Sequence, residues 1–403
     1  MNTLSEQVLH ACAGEFIDRK VDRAYVHDGT GVLTLEAFRK MSVHIENPDR
    51  NYVIFDHITP ANNSTTAMLQ AELREFALER GFFFSDSGGG ICHQVMGEDV
   101  VLPGEIVVGA DSHTCTLGAF GAFATGVGAT DMAAVWASGE TWFRVPETIE
   151  VNLSGRLRDS AEAKDAALTY VGRLGMDGAT YRALEFTGGG AATLTVDERM
   201  TLSNLAVETG AKTGLFYADQ VTCEYLAGHG RNGQRQEQQD CTYESTLEID
   251  LGDIVPVVAE PPRVDRVRPV SDLEGLPLDQ VFVGTCTNGR YEDLARFASI
   301  VKGRKVSVRT IIAPASREVL KSAIKTGVAA DLIDADCTLL PPGCGPCLGA
   351  HMGVIGEGEI CLSTANRNFK NRMGVGGQIY LASVSTAAES ALRGVLTEPR
   401  EVR

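Results

Sequence analysis

The sequence predicts an α/β chain with mainly parallel sheets, and three observations point there. Glycine outnumbers proline 43 to 14, as expected of many tight strand-to-helix turns. The apolar runs are short and β-branched, in the manner of strands buried on both faces. Over 280–348, strand-like and helix-like patterns alternate as β-α-β-α-β.

Taken in chain order, three apolar runs each end in a chemically loaded turn. Residues 52–55 lead into Asp56 and His57, residues 106–108 into Asp111 and His113, and residues 281–283 into Cys286. Ligands of parallel sheets bind at the carboxyl edge, where loops leave and helix N-termini point, so one shared active edge is expected. After Cys286 the pattern predicts a helix closing at Gly303, a strand over 308–314, and a helix over 316–327 with Ser316 as N-cap; the segment CTLLPPGCGPC follows from 337. Right-handed crossovers would bring Cys286 and Cys344 to one edge of the same sheet. The polar stretch 228–253 reads as surface loop and edge strand, and EPPRVDRVRP at 260–269 as a linker. Boundaries near Pro146 and Pro262 divide the chain into 1–145, 146–262 and 263–403.

The chain has 403 residues, 44% of them apolar, enough for two or three cored domains. Its 36 basic and 53 acidic residues leave a net charge of −17, which counts against nucleic acid or an anionic membrane as partner. No basic segment leads into an unbroken apolar run at the start, and no stretch approaches the ~20 apolar residues of a membrane span. A cytoplasmic protein without a membrane partner is expected. Ten cysteines are too sparse for a disulfide framework, leaving metal binding, catalysis or burial.

Cys344 and Cys347 form a C-x-x-C pair in a stiff loop beside Pro342 and Gly343. Alone, such a pair fits a redox dithiol, half a zinc site, part of an iron-sulfur site, or burial. Cys286 is the third thiol delivered to the same edge. Three thiolates suit a cubane cluster with one iron left open, a Lewis acid able to polarise a carbon-oxygen bond, whereas structural zinc would want a fourth ligand. Cys337 and Cys361 remain candidates for that fourth position, although a strand position favours burial of Cys337. Asp56-His57, Cys92-His93 and Asp111-Ser112-His113 place three imidazoles and two carboxylates at turns. A histidine paired with a carboxylate holds its proton to higher pH and can donate it to a departing hydroxide. Glu185 taken alone reads as a plain strand acid. Arg367 and Arg372, amid asparagines, could clamp carboxylates or simply lie on the surface. Neither a phosphate-binding P-loop nor a strand-positioned dinucleotide fingerprint occurs.

Together the segments HDGTG (27–31), DHITP (56–60), GICHQ (90–94), GADSHTCTLGAFGAFATGVGATDMA (from 109), DGATYRALEFTG (from 177), GTCTNGRYEDL (from 284), CGPCLGAHMG (from 344) and TANRNFKNRMG (from 364) resemble the aconitase superfamily. The resemblance spans nearly the whole chain and is nearest to the large subunits of two-subunit 3-isopropylmalate dehydratases and homoaconitases. It implies three α/β/α domains around a shared cluster cleft. It also implies a 4Fe-4S cluster on Cys286, Cys344 and Cys347 with one labile, substrate-binding iron. Carried over by motif, Asp56 with His57 would protonate the leaving hydroxyl. His93, Asp111, His113 and Glu185 would order the water and hydroxyl. Asn366, Arg367 and Arg372 would bind substrate carboxylate or steady the cluster. The swivelling domain with its proton-abstracting serine would come from a separate small subunit.

The activity so implied is that of a hydro-lyase acting on a small 2-hydroxy di- or tricarboxylate. Interconversion of 2- and 3-isopropylmalate in leucine biosynthesis leads, with homocitrate, citramalate or another substituted malate as alternatives. An RNA-binding regulator, disfavoured by the charge, and a zinc-bound structural protein are the rivals. Two positions depart from the family pattern: Gly343 stands where Thr is usual, and Asn371 where Gly often precedes the second arginine.

Overall fold

The computed structural model describes residues 2–399. Two compact units emerge: one comprises the chain up to Ser154 with Ala179–Ile249, the other Gly155–Gly178 with the chain from Asp250 onward. The stretch 146–262 is therefore shared, its segments 155–178 and 250–262 belonging with the C-terminal unit.

The first unit contains five parallel strands in the spatial order Phe83–Ser85, Asn51–Ile54, Arg23–His27, Ile106–Gly109, Phe123–Gly126. The chain builds outward from Arg23–His27 in one direction, then restarts on its other side with Ile106–Gly109. That reversal is a topological switch point, where neighbouring loops diverge and leave a crevice. Both faces of the sheet are covered, one by a core that includes Val26, Val53, Val108, Phe76 and Trp136. The other packs Tyr25, Ile54, Met96, Val107 and Phe120. Their alternation along each strand follows from the period of two. Helix Ser64–Arg80 shows why the crossovers form where they do: the Asn63 side chain accepts from the Thr66 amide, and Gly81 closes the helix at φ 73°.

A second sheet in this unit runs Thr213–Phe216, Ala183–Thr187, Thr148–Ser154, Ser245–Asp250, the first three parallel. Strands Phe16–Lys20 and Glu140–Arg144 make a separate antiparallel pair.

The C-terminal unit carries a seven-stranded sheet. Its antiparallel edge is Val267–Pro269 and Val257–Ala259; five parallel strands follow in the order Gln378–Leu381, Ile360–Ser363, Gln280–Val283, Arg309–Ile312, Thr338–Leu339. Helix Tyr291–Val301 buries Leu294, Phe297, Ala298 and Val301, the i, i+3, i+4, i+7 stripe that a covering helix requires. Ser316 caps helix Arg317–Thr326, its Oγ accepting from the Val319 amide at 3.2 Å. The single helix expected before Cys337 is two: Gly327 at φ 84° ends the first, and Val328–Asp334 follows. The expected β-α-β-α-β order otherwise stands, and the loops carrying Cys286, Cys344 and Asn366 all leave the carboxyl edge of parallel strands in one sheet.

Candidate active site

In the N-terminal unit the switch-point strands deliver His27 and Asp111, and the adjoining strand delivers Asp56 and His57. Asp28, the first residue of helix Asp28–Met41, organises the second of these turns. One carboxylate oxygen accepts the amides of Asp56 (3.2 Å) and His57 (2.9 Å); the other accepts the Ile58 amide (2.8 Å) and Gln70 Nε2 (3.1 Å). The turn is thereby built around a buried anion whose lone pairs are filled.

Asp56 and His57 form a close dyad, Oδ1 to Nδ1 at 2.6 Å, and the other Asp56 oxygen accepts the Cys92 amide at 2.7 Å. Burial pushes the Asp56 carboxyl up, but His57, His27 and the Cys92 amide outweigh it and hold the group at about 2. The His57 ring, 13% exposed, stacks on His27 with centroids 3.8 Å apart and planes at 19°. His27 Nδ1 accepts the Gly29 amide at 3.1 Å, so in the neutral ring the proton sits on Nε2, which faces Asp111 Oδ2 at 3.5 Å.

Asp111 is the hub of the second group. Its Oδ1 lies 3.0 Å from His93 Nε2 and accepts the His113 amide at 2.7 Å. Burial raises its carboxyl, yet the His93 and His27 rings outweigh that and keep it well below the ordinary range. Behind His93 runs a chain of hydroxyls. Thr114 Oγ1 donates to the Asp111 carbonyl at 2.8 Å, and Tyr25 OH donates to Thr114 Oγ1 at 2.8 Å. The Tyr25 oxygen lies 3.0 Å from His93 Nδ1, which also faces Cys92 Sγ at 3.2 Å, while His93 Nε2 lies 3.0 Å from Asp111 Oδ1. Glycine is required at 109, where a Cβ would stand 2.3 Å from Thr114 Oγ1 and 2.4 Å from the Tyr25 ring.

His113 meets a carboxylate that the sequence reading did not select: its Nε2 lies 2.9 Å from Glu208 Oε1, and both residues are buried. Asn204, four residues earlier on the helix Val196–Leu205, donates to Thr116 Oγ1 at 2.8 Å, and Thr116 in turn donates to the His113 carbonyl at 2.7 Å. Glu185 is elsewhere. Its oxygens accept the Leu4 amide (2.8 Å), Tyr217 OH (2.8 Å) and Tyr243 OH (2.6 Å). Burial raises its carboxyl despite the two tyrosine donors. Glu185 thus ties the N-terminal helix to two tyrosines, and the carboxylate beside His113 is that of Glu208.

The C-terminal unit assembles the thiols. Cys286 follows strand Gln280–Val283 through Gly284 (φ 155°) and Thr285 (φ 72°). A threonine in the left-handed region costs on the order of 1 kcal/mol, offset here by its Oγ1 accepting the Thr287 amide at 3.1 Å. Arg290, fully buried, donates to the carbonyls of Thr287 (2.6 Å) and Cys286 (2.7 Å). Cys344 caps the turn Gly345–Leu348 and Cys347 lies within it, and a Cβ at Gly349 would stand 2.5 Å from the Arg372 carbonyl, so the cysteine turn packs directly on the 364–374 segment. From that segment Asn366 Nδ2 donates to Cys286 Sγ at 3.3 Å and Arg372 to Cys347 Sγ at 3.9 Å. Arg367 is half-buried in the same turn. Asn371 adopts φ 66°, which explains how it can stand where glycine is usual.

The other two candidate ligands lie in the core. Cys361 is fully buried on its strand beside Gln280, and burial pushes its thiol up to about 12; the Cys337 thiol is likewise pushed up to about 12, by burial and then by Asp336. None of the ten cysteines is in a disulfide.

Thiolates on one zinc ion stand about 3.8 Å apart. Among the described residues, the set with three or more donors all within 4.8 Å of one another is His27, Asp28, Asp56 and His57, and the three thiols are not such a set. Their wider spacing, with side-chain donors aimed at two of the sulfurs, fits a multi-iron sulfide cluster better than a single ion. In that set Asp28 already accepts four donors and Asp56 one on each oxygen, so its carboxylates are engaged in building the turn. No described helix is long and apolar enough to cross a membrane.

Acid-base groups gather around a switch point in the N-terminal unit, and three thiols leave a sheet's carboxyl edge in the C-terminal unit, the residue types of an α/β enzyme that moves protons. Comparison with known proteins agrees. The model of the aconitase family (aconitate hydratase) matches residues 4–276 and 268–394, and the chain belongs to that family, an enzyme of the hydro-lyase class. It is 52% identical to a probable methanogen homoaconitase large subunit of Methanosarcina mazei over 95% of this chain and 99% of that one. It is 47% identical to 3-isopropylmalate dehydratase large subunit 1 of Methanopyrus kandleri, over 99% of each, and 45% identical to the Thermotoga maritima large subunit 1 of the same name, over 96% of this chain and 95% of that one. The crystal structure of Thermococcus kodakaraensis aconitase X shares the fold at a TM-score of 0.52 and 12% identity, covering 87% of this chain and 84% of that one.

Proposed function

We propose that the chain is the large subunit of a 3-isopropylmalate dehydratase, interconverting 2- and 3-isopropylmalate by dehydration and rehydration in leucine biosynthesis. The observation that carries the reading is the thiol trio: Cys286, Cys344 and Cys347 leave one sheet edge together, while Cys337 and Cys361 are buried in the core. The three would hold a 4Fe-4S cluster with one labile iron. When bound, that iron supplies Lewis acidity toward a substrate hydroxyl and carboxylate.

The remaining work falls to side chains. His57, oriented by Asp56, gives a proton from its outward nitrogen to the leaving hydroxyl. His93 and His113, each against a carboxylate, orient water and hydroxyl. Asn366 and Arg372 steady the thiolates, and Arg367 takes a substrate carboxylate bidentately. Relatives named as large subunits match this chain end to end, which supports a separate small subunit bringing the swivelling domain and its base. The three larger sheets fall one to each of the segments 1–145, 146–262 and 263–403, apart from Val257–Ala259, and we take these as the three domains.

Homoaconitase is the second reading, favoured by the 52% identity to the Methanosarcina mazei protein. The test is to reconstitute the chain anaerobically with iron, sulfide and its small subunit, then compare kcat/KM for isopropylmalate and homocitrate from the absorbance of the unsaturated acid. A preference for isopropylmalate supports the first reading, a preference for homocitrate the second. Turnover of neither removes both.

A further inference from the structure

Helix Ser64–Arg80 turns four side chains into the core, Gln70, Leu73, Phe76 and Ala77, and Gln70 stands where such a stripe calls for an apolar residue. A buried amide needs partners, and those of Gln70 lie beside the acid dyad. Its Nε2 donates to Asp28 Oδ2 (3.1 Å) and to the Ile58 carbonyl (2.9 Å). Asp28 is itself buried and gathers the amides of Asp56, His57 and Ile58. Three successive N–H groups converging in this way make a nest for an anion, and here the chain's own carboxylate fills it. With those amides turned toward Asp28, the Asp56 side chain reaches the Cys92 amide with one oxygen and His57 Nδ1 with the other. Neither Asp28 nor Gln70 has a part in the chemistry proposed above.

We infer that Asp28 and Gln70 are positioning residues for His57. Together they clamp the amides and a carbonyl of the turn that carries it, and so fix where its ring presents a proton. The inference rests on the reading of His57 as the acid; the hold on the turn stands without that reading. A carboxylate is needed at 28 because two donors converge on each of its oxygens. An asparagine there, whichever way its amide is placed, sets an NH2 group against two donors. Displacing a catalytic group by ~1 Å costs on the order of 10² in rate, so the clamp bears on kcat rather than on substrate binding.

The experiment compares the full-length chain, assembled anaerobically with its cluster and small subunit, with Asp28→Asn, Gln70→Leu and the double variant, each checked for its fold by circular dichroism. Both kcat and KM are measured on whichever of isopropylmalate and homocitrate the wild type turns over. Asp28→Asn is expected to lower kcat about 10-fold to 100-fold and Gln70→Leu about threefold to tenfold, with KM within about twofold of wild type. Because both residues act through one turn, the double variant should lose less than the product of the single losses. Hydrogen exchange of the cluster-free chain, read by mass spectrometry on the peptide spanning 56–58, should run about tenfold faster in Asp28→Asn, with the strand Thr213–Phe216 unchanged. Wild-type kcat in either folded single variant, a change confined to KM, single losses that multiply, or unchanged exchange at 56–58 overturns the inference. If Asp28→Asn does not fold, Gln70→Leu carries both readouts; failure of both to fold makes the pair core elements only and overturns it as well. A wild type that turns over neither acid refutes the reading of the activity, while exchange at 56–58 still decides whether the two residues hold the turn.

Discussion

Nε2 of His113 lies 2.9 Å from Oε1 of Glu208, and this contact, across 95 residues of sequence, decides which of two buried glutamates belongs with the histidines. The Glu185 carboxylate instead accepts from the Leu4 amide, Tyr217 and Tyr243. Glu208→Gln is expected to lower kcat by about 10²-fold to 10⁴-fold, the range of a lost proton-transfer partner, with little change in thermal midpoint. Glu185→Gln should do the reverse: near-native kcat in the assembled enzyme, with about 1.5 to 3 kcal/mol less stability from its broken charge-assisted hydrogen bonds. Steady-state kinetics and thermal melts on the two variants check both expectations, and a reversed outcome would restore Glu185 to the site.

The Asp56 carboxyl gives a prediction in pH. Its folded value of about 2 lies below the ordinary 3.8, so the folded state holds that proton more weakly than the unfolded chain. The stabilisation is complete above about pH 4 and disappears as pH falls toward about 2, amounting to about 2 kcal/mol. Asp56→Asn should lose that amount near neutrality and show a flatter loss of stability in acid. Denaturant melts across the acid range test it, and parallel wild-type and variant curves would contradict it.

The hydroxyl chain behind His93 predicts that Tyr25→Phe lowers kcat. Removing the hydroxyl takes away a hydrogen-bonding partner 3.0 Å from His93 Nδ1 and leaves Thr114 Oγ1 without its donor. Turnover should fall about tenfold as the ring loses its orientation, with the fold preserved by the remaining ring packing. An unchanged kcat would show that the tyrosine only fills space.

The cysteines divide into two classes. Serine at Cys286, Cys344 or Cys347 should leave the reconstituted chain well short of about four irons and without turnover. Alanine at Cys361 or Cys337, both core thiols, should keep the iron and cost about 1 kcal/mol of packing each. Iron and sulfide analysis with melting curves separates the classes.

Much of this architecture can be read before any coordinates. The runs before His57, His113 and Cys286 announce strands because they are short, apolar and β-branched, and the reactive residues follow at once. The Ser316 cap is legible for the same local reason. Glu208 is not, because nothing within a few residues distinguishes it from Glu185: both are acids beside apolar segments. The clue lies in the helix before it, where Ser203 and Asn204 are buried in an otherwise core-facing stretch, and buried polar residues need partners. Gln70 escapes for a similar reason, since a glutamine on a helix reads as solvated until its enclosure is seen. Asp28 stands in its motif, but three of its four hydrogen bonds come from a turn 28 to 30 residues away and the fourth from Gln70, 42 residues away. The break at Gly327 depends on backbone conformation that the pattern of apolar residues does not record.

The central claim is that three cysteines hold an iron-sulfur cluster whose fourth iron is free to meet a hydroxy acid. Mössbauer spectroscopy of the anaerobically reconstituted chain with its small subunit, recorded with and without isopropylmalate or homocitrate, addresses it most directly. The account predicts that one iron of the cluster changes its spectrum on adding substrate while the other three do not. A cluster whose irons are all indifferent to both acids, or a chain that takes up zinc in place of iron, would contradict it.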